Sequence, residues 1–222
     1  MSKATNRFNP LYTGFMAVTI CMSAWLSPSA WGSPRILIIG DSLTEGYNLT
    51  EQEAYPAKLE AIMKKSGHPT AKVVNAGTSG ATSAFGLRTL RFQSKFYKPD
   101  YLILALGAND GLRGVKPHET QKNLALVIEK AQSLKIKVIL VGMEAPPNYG
   151  RDFPKEFRKI YPKLADTYKV NFIPFLLEGV AGEPHLNLPD GIHPNAKGYD
   201  KIAEHLWNTL KEIIHEKPNS SN

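Results

Sequence analysis

The chain has 222 residues and a formal net charge of +7, with 42% hydrophobic and 21% charged residues. That composition excludes a disordered or fibrous chain and supplies enough apolar side chains for one sizeable core. A single cysteine excludes a disulfide framework within the chain, and lysines interspersed with acids, as in "IEKAQSLKIK", speak against a nucleic-acid partner.

Residues 1–32 read as an export signal that is cleaved. Lys3 and Arg7 give a positive start, Leu11 to Leu26 an apolar stretch, and Ala30 and Gly32 the small residues expected around a cut before Ser33. An uncleaved membrane anchor is the rival reading, but the stretch is interrupted and short of the roughly 20 residues a span needs. Lipid attachment at Cys21 is disfavoured because Ile20 stands where a small residue is expected. Cleavage after Gly32 places the protein in the periplasm or outside the cell. It also removes Cys21, and it lowers the formal charge from +7 to +5 through the loss of Lys3 and Arg7.

Five apolar, β-branched runs follow: Ile36 to Ile39, Lys72 to Ala76, Tyr101 to Leu106, Lys137 to Gly142 and Val170 to Phe175. They are continuous rather than alternating, as expected for parallel strands covered on both faces. Helical periodicity fills the gaps. Leu124, Val127, Ile128, Ala131 and Leu134 form one stripe, and Tyr199, Ile202, Ala203, Leu206, Leu210, Ile213 and Ile214 form another near the end. Strands alternating with helices predict an α/β fold, a three-layer α/β/α sandwich around a five-stranded parallel sheet of the flavodoxin-like kind. With no internal repeat or linker, residues 33–217 read as one domain, and residues 218–222, after Pro218 closes the last helix, as a disordered tail.

In a parallel sheet every strand ends on the same edge, so the segments after the strands converge there. They are "GDSLTEG", "NAGTSGATS", "GANDGLRG", "MEAPPNYG" and, before the last helix, "DGIHP". Nucleophilic hydrolysis needs a hydroxyl, a base, a group that orients the base, and donors for an oxyanion. Ser42 offers the hydroxyl, His193 the base, and Asp190, three residues earlier, the orienting carboxylate. Gly80 offers a backbone donor and Asn109 a side-chain amide. Taken singly, each has a plainer reading: Ser42 as a helix cap, the glycines and Asn109 as turn formers, "DGIHP" as a polar lead into the last helix.

Ser79 lacks the G-x-S-x-G setting of a nucleophile elbow. His68, His118, His185, His205 and His215 read as surface histidines. No spacing suggests a metal site or a phosphate-binding loop, so neither metal nor cofactor is expected.

On these residues the sequence resembles the SGNH, or GDSL, hydrolase family. "GDSLT" resembles its nucleophile block, Gly80 in "GTSGATS" the glycine of the second, "GAND" the asparagine block and "DGIHP" the acid and histidine block; the fit runs from Arg35 to about Glu216. "GANDGLRG", "PNYGRDF" and "IYPKLA" are similar to segments of the bacterial periplasmic thioesterase, lysophospholipase and arylesterase group. Ala108 departs from a glycine common at that position. The resemblance implies Ser42 as nucleophile, Asp190 and His193 completing a triad, and Ser42, Gly80 and Asn109 as the oxyanion hole. It also implies an acyl-chain groove near "GLRGVKP" and near Pro146 to Tyr149. The substrate expected is a small-molecule ester or thioester with an acyl chain, met by a monomer that touches membrane lipid transiently. The alternatives are an esterase of carbohydrate or cell-wall O-acetyl groups and, from another class, a lipid-binding protein without catalysis.

Overall fold

The structure, a computed structural model, describes Met1 and residues 34–215. Apart from Met1, the expected leader and tail lie outside the described residues. Five strands form the sheet: β1 (Arg35–Gly40), β2 (Lys72–Gly77), β3 (Tyr101–Ala105), β4 (Lys137–Val141) and β5 (Asn171–Ile173). All neighbours are parallel, in the order β2-β1-β3-β4-β5. Apart from its first residue, β1 is buried throughout, and β3 is buried along its whole length, which is why both read as unbroken apolar runs.

The helices are α1 (Ser42–Glu45), α2 (Tyr55–Lys65), α3 (Gly86–Phe96), α4 (Ala108–Leu112), α5 (Pro117–Ser133), α6 (Asp152–Tyr168) and α7 (Ala196–His215). The chain steps from β1 out to β2 and then back across β1 to β3, β4 and β5. Right-handed crossovers therefore put α3, α5 and α6 on one face and α2 on the other. The packing agrees: α5 lies against α3 and α6, while α2 lies against α7. Because the order reverses between β1 and β3, the crevice above those two strands is where this fold places a ligand.

The predicted strands appear with small shifts at their ends. The fifth is shorter than its six-residue apolar run, because Pro174 follows Ile173 and has no N–H for the ladder. The α5 stripe is buried except for Leu134, which is 40% exposed where it caps the helix; every stripe residue of α7 is buried.

Candidate active site

The turn after β1 is built tightly. Gly40 has no room for a side chain, since a Cβ there would lie 1.9 Å from Thr44 Oγ1 and 3.0 Å from the Ala105 carbonyl. Asp41, not Ser42, caps the short helix: its Oδ1 accepts from the Leu43 N–H at 3.0 Å. Ser42 is thus the first helical residue, and its hydroxyl is not spent on capping. Gly46 ends the helix at φ +95°, a left-handed conformation that suits glycine. Thr44 is fixed to Tyr55 by a 2.7 Å hydroxyl contact, and its carbonyl accepts from Asn75 on β2 at 3.0 Å.

His193 arrives from the other end of the chain on a hairpin-like turn. The Leu188 N–H donates to the His193 carbonyl at 2.7 Å, and Gly191 turns the chain at φ +74°. Asn195 then caps α7, its Oδ1 accepting from the Lys197 and Gly198 amides at 3.0 and 3.1 Å. Within this frame His193 Nε2 stands 2.9 Å from Ser42 Oγ, and its Nδ1 is 2.8 Å from Asp190 Oδ2. The other Asp190 oxygen accepts from the Ile192 and His193 amides, both at 3.0 Å. Burial pulls the Asp190 carboxyl upward, but those two amides and the imidazole outweigh it and hold it at about 2. A permanently charged carboxylate on Nδ1 keeps the Nδ1–H tautomer and turns the Nε2 lone pair toward the Ser42 hydroxyl.

Gly80 and Asn109 lie side by side at the ends of β2 and β3. Asn109 Nδ2 donates to the Ala81 carbonyl at 3.1 Å, which uses one of its two amide protons, and Arg113 Nη2 donates to the Gly80 carbonyl at 3.1 Å. Among the described residues, the Ser42 and Gly80 N–H groups donate to no protein acceptor. Gly80 adopts φ +76°. Two unspent backbone donors and one half-spent amide at the switch point form the kind of arrangement that stabilises a developing oxyanion.

Sequence reasoning missed two neighbours. Asp41 is fully buried; its Oδ2 has no hydrogen-bond partner, and burial raises its carboxyl to about 6 despite the Leu43 amide, the His193 ring and the Asn109 amide. The signal was an aspartate at a strand end directly before a helix, the usual capping position. Tyr47 stacks on His193 with ring centroids 4.3 Å apart and planes at 27°. Nothing in the spacing marks that contact, which depends on the left-handed turn at Gly46.

The remaining predicted features fall as follows. Both Ser79 groups, N–H and Oγ, donate to the Glu45 carboxylate. His118 and His185 are exposed beside Glu119 and Glu183. His205 and His68 correct the surface reading: each is half-buried, His205 bonded through Nε2 to the Phe175 carbonyl at 3.0 Å and His68 edge-on to Trp207. The side chain of His215 lies outside the description. The two expected groove loops touch, for Tyr149 Oη donates to the Leu112 carbonyl at 2.6 Å and its ring covers Gly114. From Tyr149 an aromatic series runs through Phe153 and Phe157 to Tyr161, whose hydroxyl donates to the Leu106 carbonyl at 3.2 Å beneath Asn109.

The profile of the GDSL-like Lipase/Acylhydrolase family matches residues 38–201, from within β1 into α7. The chain belongs to that family. It is a carboxylic ester hydrolase of the GDSL type. Esterase TesA of Pseudomonas aeruginosa is 36% identical over 87% of this chain and 96% of its own. Thioesterase 1/protease 1/lysophospholipase L1 of Escherichia coli is 35% identical over 83% and 87%. Among solved structures, a TesA crystal structure superposes with a TM-score of 0.77 at 37% identity, covering 81% of this chain and 99% of that one. AlinE4, an SGNH-hydrolase family esterase, gives 0.68 at 42% identity over 83% and 98%.

Proposed function

We propose that this GDSL hydrolase cleaves acyl esters and thioesters through an acyl-enzyme on Ser42. The observation that carries the proposal is the unbroken chain from Ser42 Oγ to His193 Nε2 at 2.9 Å and from His193 Nδ1 to Asp190 Oδ2 at 2.8 Å. Ser42 attacks the carbonyl carbon as His193 takes its proton. The Ser42 and Gly80 amides and the Asn109 side chain hold the oxyanion, and the imidazolium then protonates the departing alcohol or thiol. Water, deprotonated by His193, attacks the acyl-enzyme by the same route and frees Ser42.

Support for an acyl chain as the recognised part comes from the rim. Leu112, Tyr149 and Ile192 remain 43%, 43% and 50% exposed around the catalytic turn, an apolar margin that a hydrocarbon chain would cover. The names of the relatives, an esterase and a thioesterase with lysophospholipase activity, support the same substrate class. Export to the periplasm and action as a monomer belong to this proposal and rest on the leader and on the single domain read from the sequence.

The test is initial rates on p-nitrophenyl esters from acetate to palmitate and on matching acyl-CoA thioesters, with Ser42→Ala as control. Rates that rise toward longer chains and vanish in the variant are expected. Activity confined to acetate would replace this reading with the O-acetyl esterase, and undiminished Ser42→Ala activity would refute the nucleophile. Asn109→Ala should cost roughly 10² to 10³ in kcat, and full retention would remove it from the oxyanion hole.

A further inference from the structure

From Ala61 to Pro99 the chain carries Lys64, Lys65, Lys72, Arg88, Arg91, Lys95 and Lys98 and no carboxylate. Four of these cations, Arg88 to Lys98, sit on or just beyond α3, and among the described residues none of the four forms an ion pair. The same helix and the residue that leads into it leave large apolar side chains in water. Phe85, Phe92 and Phe96 are 39%, 56% and 75% exposed, while Gly86 and Leu90 face inward. At about 100° per residue, the three phenylalanines fall within a strip roughly 40° wide, and Arg88, Arg91 and Lys95 line one side of it. The phenylalanines are also grouped: Phe92 and Phe96 meet edge to face at 5.2 Å, and the Arg88 guanidinium lies 4.9 Å over the Phe85 ring.

We propose that the outer face of α3 is a docking surface for a bilayer containing anionic phospholipid. Exposed rings on a convex helix suit a soft interface into which they can sink, and the flanking cations complement its negative headgroups. A rigid polyanion such as a nucleic acid would meet the cations but leave the phenylalanines in water. At the foot of the helix, on the sheet edge opposite Ser42, Lys98, Lys135 and Lys137 line a hollow of about 490 Å³ together with the Arg35–Asp100 ion pair, so its lining is net positive.

The docking face is joined to the site by short, fixed connections. Four residues separate Gly80 from Phe85, and the turn between them is pinned by Ser83, whose N–H and Oγ donate to the buried Asp110 carboxylate at 2.7 and 2.5 Å. Asp110 directly follows Asn109. Phe85, at the head of α3, is therefore the part of the docking face nearest the rim at which, on the proposed function, acyl chains enter, while Phe96 lies at the far end of the helix. The docking itself does not depend on that function.

The test is co-sedimentation of the purified protein with phosphatidylcholine vesicles, with and without phosphatidylglycerol, at low and high salt. Partitioning is expected only with phosphatidylglycerol and should weaken in high salt. At roughly five-fold for each cation, the triple variant Arg88→Gln, Arg91→Gln, Lys95→Gln should bind about a hundredfold more weakly. Phe92→Ser with Phe96→Ser should lose about tenfold or more. All variants share one amino terminus, so any leader still attached contributes equally. Equal binding to both vesicles, or variants that bind as the parent does, would overturn the proposal; loss in the cation variant alone would replace it with a general polyanion site. Turnover of soluble p-nitrophenyl acetate should be unchanged in every variant, so failure to dock leaves the hydrolase reading standing.

Discussion

Asp41 gives the fold a pH dependence of unusual sign. Most folded carboxylates are held below their unfolded pKa and stabilise the protein as pH rises, whereas burial lifts Asp41 from 3.8 to about 6. Between those values the folded state keeps a proton that the unfolded chain has released, so stability falls as pH rises through the window. At about 1.4 kcal/mol per unit, the full loss is about 3 kcal/mol, of which about 2 to 2.5 kcal/mol falls between pH 4 and pH 7. Asp41→Asn abolishes the titration yet retains a side-chain oxygen to cap Leu43. Its new amide must find room where Oδ2 has no partner, a cost that does not vary with pH. The assay is urea unfolding of parent and variant at pH 4, 5, 6 and 7, comparing how each changes with pH. The parent should lose about 2 kcal/mol more than the variant from pH 4 to pH 7. Parallel pH curves would show that Asp41 is ionised in the fold as readily as in the open chain, and the burial argument would fail.

The Tyr47 ring stacks on the His193 imidazole and restrains its orientation, so Tyr47→Leu should lower kcat about three- to tenfold with KM little changed, and Tyr47→Phe should restore it. Equal kcat in parent and leucine variant would reduce the stack to packing. Asp190→Asn should lower kcat by roughly 10⁴ by favouring the wrong imidazole tautomer, in a protein that still unfolds cooperatively in urea; a loss below tenfold would refute the orienting role. Gly40→Ala would drive a methyl group into Thr44 and toward the Ala105 carbonyl, costing about 3 kcal/mol or more. An unchanged melting temperature would contradict that geometry. Ser83→Ala leaves Asp110 Oδ1 with only Thr120, at 3.1 Å, as its side-chain donor, and should cost about 1 to 3 kcal/mol in urea unfolding.

The sheet was legible because covering both faces of a parallel strand forces an apolar residue at nearly every position, as in Ile36 to Ile39. The chemistry was legible because a parallel sheet delivers every strand end to one edge, so that Ser42 and His193 meet across 151 residues of sequence. What escaped reading depends on which way a side chain faces. Asp41 and Ser42 are adjacent and both suit a helix cap; only the backbone path out of β1 decides that the aspartate turns inward to cap and the serine faces the imidazole. His205 lies at the margin of a periodic helix, where a shift of a few tens of degrees decides between water and the Phe175 carbonyl. Leu134 belongs to the apolar stripe by spacing but falls where α5 ends, and beyond the last turn helical phase no longer carries a side chain to the core.

The same distinction explains why the triad and the buried carboxylate sit one residue apart. A hydroxyl nucleophile needs a turn tight enough to face it out of the sheet, and the tightness comes from Gly40, from Thr44 pressed against it, and from an N-cap drawn beneath the first helical turn. The capping carboxylate is thereby buried, and its second oxygen is left without a hydrogen bond. The strain of an underpaired Asp41 is the counterpart of the geometry that exposes Ser42, so stability and nucleophile placement should oppose each other at this turn. Substitutions that relax Asp41 should raise the unfolding midpoint at neutral pH while lengthening the reach from Ser42 Oγ to His193 Nε2.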